Sequence, residues 1–181
     1  MSNYKNHINE HKEVFNSLNL FEEEILAIGE ILKKAIKKNT IFFCGNGGSA
    51  SDSNHLCAEL IGRFKSNRSP YSAISLSSNP ANLTCIANDF GYENVFSRQL
   101  NGLGTKNDVL FVLTTSGNSE NIYNAIIEAK KIGIITIGFL GKNGGKCKDL
   151  CDIEIIIESD NTARIQECHM FLGHFLCSLI D

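Results

Sequence analysis

The sequence has no excess of charge of either sign: 17 basic residues stand against 20 acidic ones, for a formal net charge of −3. These charges are spread along the chain, so the electrostatic footprint that nucleic-acid or anionic-membrane binding requires is absent. No apolar run approaches the roughly 20 residues needed to cross a bilayer. The amino terminus, MSNYKNHINEHKEVF, also lacks the apolar stretch of a secretory signal. A cytoplasmic protein is expected, with no membrane and no nucleic-acid partner. Prolines number only two, Pro70 and Pro80, and no repeat, low-complexity tract or linker interrupts the chain. At 181 residues the chain is long enough for one substantial core and short for two, so a single domain over 1–181 is expected. C-x-x-C pairs are missing as well. The seven cysteines (44, 57, 85, 147, 151, 168 and 177) are an odd number set mostly in apolar patterns such as IFFCG and HFLCSLI. Buried free thiols are expected. Cys147 and Cys151 stand four apart, but no second pair completes a zinc site.

What is present is strongly patterned. Residues 4–38 place Leu18, Phe21, Ile25, Ile28, Ile31, Leu32 and Ile36 at helical spacing among Glu and Lys. This predicts two amphipathic helices, split near Asn16 to Asn19, as an N-terminal arm over 1–38. From residue 39, short apolar runs alternate with helical patterns: TIFFCG (40–45), YSAISL (71–76), DVLFVLT (108–114), IITIGFL (134–140) and IEIIIE (153–158). Five such runs separated by helices describe an α/β core over 39–181, a five-stranded parallel sheet flanked by helices. Ligands of open parallel sheets bind beyond the carboxyl ends of the strands, so the loops after these runs are where function is expected.

Two of those loops are chemically distinctive. Cys44-Gly45-Asn46-Gly47-Gly48-Ser49 leads directly into a helical pattern, which lets backbone N–H groups approach a ligand closely. It is not the spaced G-x-G-x-x-G of dinucleotide binders, and a tight turn alone would also account for it. Thr114-Thr115-Ser116-Gly117-Asn118-Ser119 precedes the helical stretch from Glu120. Capping that helix takes one residue, Asn118 or Ser119. Four hydroxyls and a glycine at a helix amino end are more than a cap needs, and they suit the oxygens of a phosphate.

The helix after the first loop carries His55 and Glu59 at i,i+4, on one face and among the apolar Leu56, Cys57, Ala58, Leu60 and Ile61. The last helix carries Gln166 and His174, which on one straight helix are about 12 Å and roughly 80° apart. Both meet one metal only by reaching toward each other or by coming from different subunits. Two His, one Glu and one amide suit zinc, the amide being the unusual member. His169 points elsewhere on the same helix, and His7 and His11 lie in a solvated arm.

Together, CGNGGSASDSNHLCAELIGRF (44–64), ANDFGYENVFSRQL (87–100), TTSGNS (114–119) and SDNTARIQECHMFLGH (159–174) resemble the phosphoheptose isomerases of the SIS (sugar isomerase) superfamily over nearly the whole chain. The resemblance implies a SIS domain with flavodoxin-like strand order. It implies zinc, one per subunit, on His55, Glu59, Gln166 and His174. It implies substrate contacts at Asn46, Gly47, Gly48, Glu59, Asn88, Asp89, Thr114, Thr115, Ser116, Ser119 and Gln166, with Glu59 as general base and His174 as general acid. It also implies a homotetramer with active sites at subunit interfaces. Thr114 stands where the family usually has serine, which preserves the hydroxyl.

The implied reaction is aldose–ketose isomerisation of D-sedoheptulose 7-phosphate to D-glycero-D-manno-heptose 7-phosphate, the first step of nucleotide-activated heptose biosynthesis for lipopolysaccharide or capsule. Moving a proton from C1 to C2 through an enediol needs a base near both carbons and an electrophile at the oxygens, and Glu59, His174 and zinc meet that need. Two alternatives share the fold. One is a non-catalytic SIS protein binding the replication initiator, which has no physical reason to hold all four ligand-type residues together. The other is a regulatory sugar-phosphate module, commonly joined to a DNA-binding domain, for which no second domain is visible here.

Overall fold

The run TIFFCG becomes β1 (Ile41–Gly45), buried at every residue, and DVLFVLT becomes β3 (Val109–Thr114), also buried throughout. Continuous apolarity follows from burial on both faces, as central strands of parallel sheets require. With β2 (Ala73–Ser75), β4 (Ile135–Gly141) and β5 (Ile153–Ile157) they form one parallel sheet in the order β2-β1-β3-β4-β5. This computed structural model describes residues 3–181. The order is the flavodoxin-like one, with its reversal between β1 and β3. The two loops singled out from the sequence therefore open side by side at the switch point.

Alternate residues of each strand feed two cores. Ile41, Phe43, Phe111 and Phe139 pack against α2 (Glu22–Ala35), α3 (Gly48–Ile61) and α7 (Thr162–Ile180). Phe42, Cys44, Leu110 and Val112 pack against α4 (Pro80–Phe90), α5 (Ser97–Leu103) and α6 (Glu120–Ile132). The arm divides as the pattern predicts: α1 (Asn3–Asn16) gives way to a 3-10 turn over Ser17–Phe21 before α2 begins. It docks on α7 through His11–Glu167 (2.7 Å) and an edge-to-face contact of Phe15 on Phe171.

All seven cysteines are free thiols, and five are buried. Cys151 is only partly covered, and Cys85 corrects the expectation outright: it lies on the solvent face of α4, an element with a single buried residue, Ile86. Burial pushes the Cys147 thiol up to about 11 and Cys151 higher still, with the Glu154 carboxylate adding to both. Protonated thiols are poor metal ligands.

His169 is fully buried, its Nε2 lying 3.1 Å from the Leu140 carbonyl, and burial lowers its pKa from 6.5 to about 4. A folded-state pKa below the unfolded one means the unfolded chain binds the extra proton first. Stability should be complete above pH 6.5 and fall as pH drops toward 4, at about 1.4 kcal/mol per pH unit and roughly 3 kcal/mol in total. Urea unfolding at several pH values should show this slope in the native chain and a shallower one in His169→Gln, which keeps a donor for Leu140. Equal slopes would remove His169 as the cause.

Candidate active site

Gly47, at φ +56°, turns the chain from β1 into α3, and Gly48 opens that helix. A side chain at Gly48 would collide with the Gln166 amide, so glycine here lets α7 lie directly on the first loop. After β3, the second loop folds on its own hydroxyls: Thr114 Oγ1 accepts from Gly117 N (3.1 Å) and Ser116 Oγ accepts from Asn118 N (3.2 Å). Ser119 occupies the N-cap position of α6 but makes no side-chain capping bond, and Asn118 Oδ1 instead accepts from Lys146 N (3.1 Å). The hydroxyl of Ser119 is thus not spent on capping the helix.

The two loops and the start of α7 enclose a cleft of about 310 Å³, lined by Asn46, Gly47, Gly48, Thr114, Thr115, Ser116, Ser119 and Gln166 among others. Eight of the residues expected to contact substrate meet in one place. The sequence reasoning missed Ser49 and Thr162, which also line the cleft, and Asn121 and Tyr92, which hold its wall. Asn46 and buried Asn121 exchange two amide hydrogen bonds of 2.9 Å, tying the loop after β1 to the helix after β3, and the Tyr92 hydroxyl donates to Asn46 Oδ1 (2.9 Å). Asn121 stands two residues after TTSGNS and Thr162 within SDNTARIQ, so proximity to known motifs was the available signal. Asn88 and Asp89 do not line the cleft. They are exposed at the end of α4, bonded to one another (2.7 Å), just before the turn that carries Tyr92 to Asn46.

Beyond the cleft, His55, Glu59 and His174 converge. His55 Nε2 lies 3.1 Å from Glu59 Oε1 and 3.2 Å from His174 Nε2, and one donor atom from each of the three residues falls within 4.8 Å of the others. The Phe64 ring stacks on His174, with centroids 5.6 Å apart. One chain supplies all three groups. Gln166 sits with the cleft instead, and the reason is the register of two helices. Gln166 meets Gly48, Gly173 meets Leu56 and Asp181 meets Lys65 and Ser66, so α7 runs beside α3 in the same direction. The separation of Gln166 from His174 matches that of Gly48 from His55, about 10 Å along α3. Cleft and cluster are neighbouring stations on one seam.

The cluster suits a cation. A single His55 Nε2 faces an oxygen and a second imidazole nitrogen, so lone pairs converge with too few protons to pair them all. Four ligands held tetrahedrally at about 2.0–2.1 Å lie about 3.3 Å from each other, close to the two spacings seen. Asp52, one turn before His55, has a buried Oδ2 without a partner, and burial raises its pKa against the opposing pull of His55.

Residues 3–141 match the SIS domain family. A phosphoheptose isomerase from Nitratiruptor is 50% identical over 178 residues, covering 95% of this chain and 93% of its own. The chain belongs to the phosphoheptose isomerases. Two solved phosphoheptose isomerases agree in fold. That from Neisseria gonorrhoeae has a TM-score of 0.90 at 34% identity over 98% of this chain and 96% of its own. That from Francisella tularensis has 0.89 at 31% identity over 99% of both. The isomerase is an enzyme, and its SIS fold with five parallel strands is the expected one.

Proposed function

We propose that this isomerase converts D-sedoheptulose 7-phosphate to D-glycero-D-manno-heptose 7-phosphate, with the phosphate in the hydroxyl-lined cleft and C1 and C2 at Glu59 and His174. The observation that carries the reading is the seam itself: a phosphate-type cleft and an acid–base cluster stand about 10 Å apart on α3, a span that an open-chain sugar phosphate bridges. Thr114, Thr115, Ser116 and Ser119 hold the phosphate with the amino end of α6 behind them. Asn46, Gly47, Gly48 and Gln166 orient the carbon chain, and Asn88 and Asp89 act from the rim. Glu59 removes the C1 proton and returns it to C2, while His174 protonates O2 and accepts the proton from O1.

Zinc is the cation proposed, one per subunit, held by His55, Glu59 and His174; the Gln166 amide expected as the remaining ligand lies with the cleft in its own chain and would reach a zinc only from a neighbouring subunit. When bound it supplies Lewis-acid polarisation of the sugar carbonyl. Glu59 can serve as both ligand and base because a carboxylate has two oxygens: Oε1 faces His55 and the other is left for the substrate. A homotetramer with active sites at subunit interfaces, in the cytoplasm, feeding heptose to lipopolysaccharide or capsule, completes the proposal. Among the described residues no helix is long and apolar enough to cross a membrane.

The test is conversion of sedoheptulose 7-phosphate by the purified, zinc-loaded chain, with the aldose product followed by NMR and a chelator-treated sample alongside. Zinc-dependent conversion is expected. Absence of conversion with zinc bound and the tetramer intact would turn the reading toward a non-catalytic sugar-phosphate or protein-binding role.

A further inference from the structure

We propose that Arg68 is a positioning residue for the His55–Glu59–His174 cluster, tying the end of α3 to the end of α7 through Asp181. The inference rests on the functional reading of that cluster and extends it to residues outside the site. Arg68 is largely buried, with 11% of its side chain exposed, and four of its five guanidinium N–H groups donate within the chain. Nη2 donates to the carbonyl of Glu59 itself (2.9 Å), Nη1 to the carbonyls of Leu60 (3.0 Å) and Ser69 (3.1 Å), and Nε to Asp181 Oδ1 (3.2 Å). The plane lies 3.8 Å over the Tyr71 ring, and the Tyr71 hydroxyl donates to the Ile180 carbonyl (2.7 Å). Asp181 Oδ2 accepts from the backbone N–H groups of Lys65 (3.1 Å) and Ser66 (2.6 Å). Its carboxyl is held below the usual range, chiefly by the Ser66 N–H.

The last carbonyls of a helix have no partner within it, and a cation at that end is favoured. A plain cap would use one donor on one helix. Here a single planar group takes two carbonyls of α3 and the residue after α7, while the residue stacked on it takes the last carbonyl of α7. The two helices that carry Glu59 and His174 are therefore locked in register from one point. The Glu59 carbonyl is part of the lock, so backbone displacement there moves the carboxylate relative to both imidazoles. A misplacement of about 1 Å can cost 10²-fold in rate, and groups that orient metal ligands typically contribute 10–100-fold in metal affinity or activity.

The test compares the native chain with Arg68→Lys, which keeps the charge but not the fork, with Arg68→Ala, and with the milder Asp181→Asn. Three quantities are read: affinity for zinc alone by chelator competition, kcat and KM at saturating zinc, and Tm. Arg68→Lys is expected to weaken zinc binding and lower kcat by about 10–100-fold, with KM little changed because the phosphate loops lie at the other end of α3. Added guanidinium should restore part of both in Arg68→Ala. Asp181→Asn should move both in the same direction by less. Unchanged zinc affinity and kcat with a lower Tm would reduce Arg68 to a helix cap and overturn the proposal. Glu59→Gln is run in parallel: if it turns over normally the acid–base reading fails, while zinc affinity in the Arg68 variants still decides the positioning role.

Discussion

Replacing Glu59 with glutamine is expected to lower kcat by about 10²–10⁴-fold, the usual contribution of a positioned acid–base group, while KM moves little. The amide has the shape of the carboxylate and can keep an oxygen toward His55, now 3.1 Å from Glu59 Oε1. It cannot take a proton from carbon. The cleft proposed to hold the phosphate, in the loop after β3 and the start of α3, is untouched, so substrate should still bind. Zinc content must be measured on the same sample, because Glu59 is proposed both as ligand and as base. Loss of turnover with zinc retained isolates the proton-transfer role. Loss of both, reversed by excess zinc, would make Glu59 a ligand alone, and full turnover with zinc bound would remove it from the chemistry.

The division of labour behind that prediction was partly legible in the sequence. The apolar runs at 40–45 and 108–114 gave two of the three interior strands because burial on both faces leaves no polar position to interrupt them. His55 and Glu59 were legible because i,i+4 on one helix is a local relation. The relation of Gln166 to His174 was not. Spacing along α7 fixes how far apart they are, but not what each faces, and that depends on α7 lying parallel to α3 in a register set by long-range contacts such as Gly48–Gln166 and Arg68–Asp181. His55, Glu59 and His174 meet within one chain, and the spacing problem posed for Gln166 and His174 stands, since Gln166 lies with the cleft.

Asn121 shows a second limit. Its identity is polar and its position helical, which from sequence reads as a solvated residue of α6, yet it is buried and paired with Asn46 across the switch point. Two complementary amides 75 residues apart leave no periodic signal. Cys85 errs the other way: Leu83, Ile86 and Ala87 around it are packed on the core, and only the rotation of α4 puts the thiol outside.

Gly117→Ala should be the most damaging small substitution in the second loop, acting on stability and on phosphate affinity together. Gly117 has φ +65°, a conformation costing an L residue roughly 1–2 kcal/mol. A methyl there would also drive into the carbonyl of Gly144 and crowd Gly145 N (2.9 Å). That neighbouring turn cannot retreat freely. Cys147 N donates to the Gly117 carbonyl (3.0 Å), Lys146 N donates to Asn118 Oδ1, and a Cβ at Gly145 would itself strike the Ser116 carbonyl and Asn118. The strain must then be relieved by the loop that aims Thr114, Ser116 and Ser119. We expect a loss of about 3 kcal/mol, seen as a fall in Tm of about 6–12 °C for a chain of this size, and a rise in KM of at least tenfold at temperatures where the variant stays folded. Gly102→Ala is the control: it lies in α5 with nothing near its Cβ position, so it should leave KM unchanged and be neutral or stabilising by up to about 1 kcal/mol. If Gly117→Ala matched that control in both readouts, the loop would not be held by the packing described, and the hydroxyls would owe their aim to the helix behind them instead.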